Sequence, residues 1–136
     1  MTVYRITNSK FKDDLTGTGA SQFGGRWNSK GVSLLYSSSH ISLAVLELIV
    51  NLDPSSSPLL QSFHIMELQL PIAVEDILSL SKLKKGWEED IAYTRYIGDH
   101  FIDSKESLAM TVPSAVVREE LNILINPNHN DFKKVF

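Results

Sequence analysis

Cysteine is absent from this chain of 136 residues. That excludes a disulfide framework and a thiolate metal site, and the four scattered histidines show no metal-ligand spacing, so no metal centre is expected. An excess of positive charge is missing too, with 13 Lys and Arg against 16 Asp and Glu and a formal net charge of −3. Such a balance lacks the electrostatic footprint of a nucleic-acid binder, and direct binding of DNA or RNA is not expected. The longest apolar run, residues 41–52, is shorter than the roughly 20 residues needed to cross a bilayer and contains Glu47. Residues 1–6 have neither the basic region nor the apolar stretch of a signal peptide, so a cytoplasmic protein without membrane attachment is expected. No repeat, Rossmann glycine fingerprint or P-loop occurs in the sequence. The length fits one domain over residues 1–136.

What is present concentrates between Gly24 and Glu47. Gly24 and Gly25 let the backbone turn tightly and approach a ligand, setting Arg26 into a concave site where its planar fork of donors suits phosphate or carboxylate. Residues 32–36 read as a short apolar strand ending in Tyr36, and Ser38 or Ser39 is placed to cap the helix that follows. In that helix Ile41, Ala44, Val45, Leu48, Ile49 and Leu52 recur at the spacing of one face, while Leu43, Leu46 and Val50 make the other side apolar as well. A helix apolar nearly all round is expected to be buried. Glu47 is its one charged residue. A buried carboxylate is costly unless paired or hydrogen-bonded, so Glu47 needs either a structural ion pair with Arg26 or Arg5, or a task in a cleft.

Elsewhere the pattern is mixed. Residues 3–7 read as a strand and residues 8–21 as a polar loop able to close over a ligand. Residues 53–58 read as a Pro- and Ser-rich loop, and residues 59–70 as a strand stopped by Pro71. A helical turn and an extended piece share residues 74–80. Residues 88–101 form a second helix with Tyr93, Tyr96, Ile97, His100 and Phe101 on one face, and Trp87 packs before it. Residues 108–112 and 123–125 are short strands, and residues 126–129 a turn. Strands and helices without regular βα alternation predict an α+β fold.

Several pieces together resemble one family. They are Tyr4-Arg5, Gly25-Arg26-Trp27-Asn28, Gly31, Tyr36-Ser37, Ala44, Leu46-Glu47, Val112-Pro113-Ser114, Asn122 and Asn126-Pro127-x-His129, in an order and spacing that span nearly the whole chain. The sequence resembles the RES domain family, the toxin half of the RES-Xre toxin–antitoxin systems, named for an arginine, a glutamate and a serine. Asn130 stands where the family usually has proline, and the family usually runs on past residue 136 to a further strand and an Asp-x-Arg ending, so a shortened C-terminus is expected.

The resemblance implies a mixed β-core with surrounding helices, akin to the ADP-ribosyltransferase toxins, and attack on NAD+ at the bond between nicotinamide and ribose. NAD+ is then a substrate, with no bound cofactor. Positive charge develops on the ribose as neutral nicotinamide leaves, and a fixed carboxylate such as Glu47 stabilises it. Glu47, Arg26 and Tyr36 are the expected catalytic residues, with Arg26 on the pyrophosphate and Tyr36 offering its ring to nicotinamide or its hydroxyl to an oxygen. Arg5, Ser114 and Asn122 are expected to bind substrate. Arg5 is placed at the nucleotide by the resemblance alone, since a strand arginine otherwise points to solvent, and Ser114 likewise has no signal of its own. The implied partner is an Xre-type antitoxin that blocks the cleft. Two other readings stand beside this one: a non-enzymatic interaction module held by a structural Arg26–Glu47 pair, and a metal-independent enzyme acting on another nucleotide. Whether water or another acceptor takes the ADP-ribosyl group, and whether the chain forms a homo-oligomer, stay open at the level of sequence.

Overall fold

Residues Leu121–Ile125 show how the protein is layered. Ile123 and Ile125 enter one hydrophobic core, while Leu124 between them enters another. A strand whose alternate side chains are both buried must run through the middle of a sheet covered on both faces. The structure, a computed structural model, describes residues 1–8, 14–51, 63–80 and 82–136. Its strands are β1 (Thr2–Asn8), β2 (Leu35–Ser38), β3 (Phe63–Gln69), β4 (Leu78–Ser79), β5 (Ala109–Pro113) and β6 (Leu121–Ile125), and its helices α1 (Thr18–Phe23), α2 (Ile41–Asn51) and α3 (Ile91–Ser104). The strands make one sheet in the order β3-β1-β2-β6-β5-β4. All pairs are antiparallel except β4 with β5. This is the expected α+β architecture with a mixed sheet.

One core joins Val3, Leu35, Leu68, Ile123 and Ile125, and the other joins Trp27, Leu34, Trp87, Phe101, Met110 and Leu124. Trp87 packs as expected, 5.8 Å from Trp27 between ring centres. Residues 74–80 divide as the sequence suggested, into a 3-10 turn at Val74–Asp76 and the short β4. The expected loop at residues 53–58 lies outside the described residues, as do positions 59–62 of the expected strand.

Several expectations need correction. The polar stretch before the glycines is not wholly loop, because Thr18–Phe23 closes into α1, which ends at Gly24 in the left-handed region. β2 starts at Leu35 rather than residue 32: the Val32 amide donates to Ser29 O and its carbonyl accepts from Asn28 Nδ2, so the backbone there closes a turn. Neither Ser38 nor Ser39 caps α2. Their hydroxyls donate to Asn122 Oδ1 and Leu121 O, which ties the start of the helix to β6 instead.

Another correction concerns burial. Only Leu43 and Ala44 of α2 are fully buried, while Leu46, Ile49 and Val50 are 42%, 56% and 60% exposed. One side of α2 meets β1 and β2, and nothing among the described residues covers the other. α3 turns only part of the expected face inward. Phe101, with Tyr93 and Ile97, packs on the core of Trp27 and Leu124, while Tyr96 is 76% exposed and the buried Thr94 and Gly98 lie against the backbone of Arg26 and Trp27.

Candidate active site

The loop carrying Arg26 is built by hydrogen bonds to its own backbone. Asn28, fully buried, donates from Nδ2 to Ala20 O at 2.8 Å and Val32 O at 2.9 Å. Its Oδ1 accepts from the Tyr36 hydroxyl at 2.6 Å, and that hydroxyl accepts from the Trp27 amide at 3.0 Å. Gly25 is required at this spot, since a Cβ there would lie 2.5 Å from the Tyr36 oxygen and 2.8 Å from Asn28 Oδ1. Burial pushes the Tyr36 hydroxyl above the ordinary phenol range, opposed by its hydrogen bond from Trp27 and the charges of Arg95 and Arg26. Tyr36 is thus a neutral donor that braces the loop. Its ring borders the clefts described below.

α3 clamps the loop from the other side. Thr94 Oγ1 donates to Arg26 O at 2.5 Å, and Arg95 Nε donates to Gly25 O at 2.8 Å. Asp99 accepts from the Ser29 amide at 2.9 Å and from the Ser29 hydroxyl at 2.5 Å. Gly98 lies against the Trp27 carbonyl. Arg26 itself donates from Nη1 to Glu88 O at 2.5 Å and lies over the Trp87 ring at 5.8 Å, which holds its guanidinium beside the cleft.

Glu47 lies half-buried on α2, facing the sheet. Ser114 Oγ donates to its Oε1 at 2.7 Å and Asn122 Nδ2 donates to the same oxygen at 2.6 Å. Each donor is itself fixed. The Ser114 hydroxyl accepts from the Val116 and Val117 amides, and Asn122 Oδ1 accepts from Ser38. Among the described residues no donor reaches Oε2, and no ion pair joins Glu47 to Arg26 or Arg5. The structural Arg26–Glu47 pair is therefore absent: the cost of partly burying this carboxylate is met by two neutral donors.

Two adjoining clefts share Tyr36, Glu47, Asn51 and Asn122 as walls. One, of about 220 Å³, extends to Tyr4 and Arg5 on β1; the other, of about 430 Å³, opens onto Gly24, Gly25, Arg26 and Arg95. Arg5 is not a solvent-facing strand residue. Its Nε is buried without a hydrogen-bond partner, and desolvation lowers its pKa from the ordinary arginine value, with the Asp14 charge opposing. An unsatisfied buried donor on a cation, beside a cleft, is complementary to an anionic or carbonyl oxygen.

All six residues singled out from the sequence therefore meet around these clefts. Arg5, Arg26, Tyr36, Glu47 and Asn122 line them, and Ser114 stands behind Glu47. Ser114 and Asn122 touch the carboxylate directly. Sequence reasoning missed Asn51 and Arg95. Asn51, one helical turn beyond Glu47, donates to the Glu47 carbonyl, and its i+4 spacing was a usable signal. Arg95 had no local signal, because its partner Gly25 lies 70 residues away. The described residues contain no group of three or more His, Cys, Asp or Glu able to hold a metal.

Comparison with known proteins identifies the family. The RES domain family model matches residues 2–136. The Toxin Res of Photorhabdus laumondii is 35% identical over 137 residues, covering 98% of this chain and 86% of that protein. The Toxin Res of Yersinia enterocolitica is 35% identical over 136 residues, with coverage of 98% and 88%. The Prs ADP-ribosylating toxin of a Sphingobium species is 37% identical over 128 residues, with coverage of 90% and 78%. A chain from the crystal structure of the M. tuberculosis MbcT–MbcA toxin–antitoxin complex shares the fold, with a TM-score of 0.67 at 20% identity over 93% of this chain and 74% of that one. On the whole-chain match and these relatives, the protein belongs to the RES domain family, whose matched members are toxins.

Proposed function

We propose that this protein is a toxin that cleaves the nicotinamide–ribose bond of NAD+, and that an Xre-type antitoxin closes its cleft in the cytoplasm. The observation that carries this reading is Glu47: one oxygen held by two donors, the other unclaimed, between clefts lined by arginines on either side. In the reaction the bond from ribose C1′ to the nicotinamide nitrogen breaks and its electron pair leaves with nicotinamide, which departs neutral. The cation left on the ribose ring is stabilised by the Glu47 carboxylate, whose direction is set in advance by Ser114 and Asn122, so little reorganisation is needed. A nucleophile, water or an acceptor group, then forms the new bond to C1′ and loses its proton, for which Oε2 is the available base. Arg26 and Arg5 offer cationic donors for the pyrophosphate, and the Tyr36 ring offers a face to nicotinamide.

Transfer to an acceptor is supported by the name of the Sphingobium relative, an ADP-ribosylating toxin, and an antitoxin partner by the toxin–antitoxin complex in which the structural neighbour occurs. The non-enzymatic module loses its stated basis with the missing Arg26–Glu47 pair. Incubation of the purified protein with NAD+, with and without cell extract, tests the reading by following nicotinamide release. Release by the wild type and a loss of about 10²-fold or more in Glu47→Gln, with an unchanged melting temperature, is expected. No release under either condition would sink the proposal.

A further inference from the structure

Arg95 has five N–H donors, and the protein uses one, Nε to Gly25 O. Among the described residues neither Nη1 nor Nη2 meets an acceptor, although the side chain is half-buried and lines the same cleft as Arg26. Among the described residues no carboxylate forms an ion pair with either arginine. Glu47, the acid in the cleft wall, pairs with neither, and the nearby Asp99 carboxylate is turned to the amide and hydroxyl of Ser29. Two guanidinium groups at one cleft repel each other, and an anion bound between them relieves that repulsion and satisfies the free donors. The backbone bond from Nε also fixes the plane of the guanidinium, so its remaining edge is preorganised for a planar pair of oxygens.

We propose that Arg95 is a second anion-binding residue, gripping with Arg26 the phosphate oxygens of a pyrophosphate-bearing nucleotide on the arginine-loop side of Glu47. This rests on the reading of the site as one for NAD+. The same residue couples ligand to loop: a phosphate drawn to its free edge is held by a side chain that also holds Gly25, so binding and loop placement reinforce each other.

Calorimetric titration of the protein with ADP-ribose, and with nicotinamide as a probe lacking phosphate, separates anion binding from mere bracing. Arg95→Gln is expected to weaken ADP-ribose about tenfold or more, a larger loss than for nicotinamide, with the lost bond to Gly25 O read separately as a fall in melting temperature. Arg95→Lys, which keeps the charge and loses the fork, is expected to fall between, and it carries the same test where the Gln variant does not fold. In steady state KM for NAD+ should rise with kcat little changed. Unaltered ADP-ribose affinity in both variants, or an equal loss for both probes, would overturn the role of Arg95 and leave the NAD+ reading standing. A wild type that binds no ADP-ribose and cleaves no NAD+ would overturn both.

Discussion

The geometry at Glu47 assigns Ser114 and Asn122 to the carboxylate, whatever else they touch. If they act by positioning it, their removal should lower kcat and spare KM; if they bind substrate, KM should rise instead. Ser114→Ala is expected to lower kcat at near-constant KM and to cost about 1–2 kcal/mol of stability, because the Val116 and Val117 amides lose their acceptor together with the Glu47 donor. Asn122→Ala, which frees the Ser38 hydroxyl as well, should show the same kinetic split, and urea melts with steady-state kinetics on the two variants check both effects. At this scale the sequence was informative about which residues matter and weak about how. Glu47 stood out as a lone charge in an apolar helix and Arg26 as an arginine behind two glycines. Ser114 needed the family resemblance, and Arg95 could not be found, since its importance exists only once α3 lies against the loop.

Among the elements, α3 and the arginine loop form one mechanical unit. Thr94, Arg95, Gly98 and Asp99 contact consecutive parts of residues 25–29, so displacement of the helix moves Arg26. Gly98→Ala tests this coupling. The added Cβ would sit 1.6 Å from the Trp27 carbonyl oxygen, a backbone atom with no rotamer to change, so helix and loop must separate. A loss of roughly 1–3 kcal/mol, as for an overpacked core, is expected together with a rise in KM for NAD+; a variant that melts and turns over as the wild type would show that the loop is held elsewhere. Helical and strand periodicities located most elements correctly, because β5, β6 and α2 are strongly patterned. The errors have a common cause. Burial of α2 was inferred from its composition, yet composition says what an element could bury and not whether a neighbour arrives to cover it. The aromatics of α3 marked only part of its inward face: Tyr93 and Phe101 meet the core, but Thr94 and Gly98 dock on backbone carbonyls, which hydrophobic patterning does not register.

For the whole molecule the question is whether two cores make one unfolding unit. Trp27 and Trp87 both lie in the core beneath α3, whereas the core with Val3, Leu68 and Ile123 holds no tryptophan. The two cores are separated by a single sheet, and β5 and β6 supply side chains to both: Ala109 with Ile123 and Ile125 on one face, Met110 and Val112 with Leu124 on the other. Loss of either core therefore strips one face of the same two strands, and a sheet exposed on a face of Ile, Leu and Val has little stability left. One cooperative transition is therefore expected. Tryptophan fluorescence, which reports only the α3 side, and far-UV circular dichroism, which reports the entire sheet, should give the same midpoint in urea. A fluorescence midpoint clearly below the dichroism midpoint would mean that α3 and the arginine loop leave first, and that the cation-lined half of the site opens as a unit while the strand bearing Arg5 remains folded.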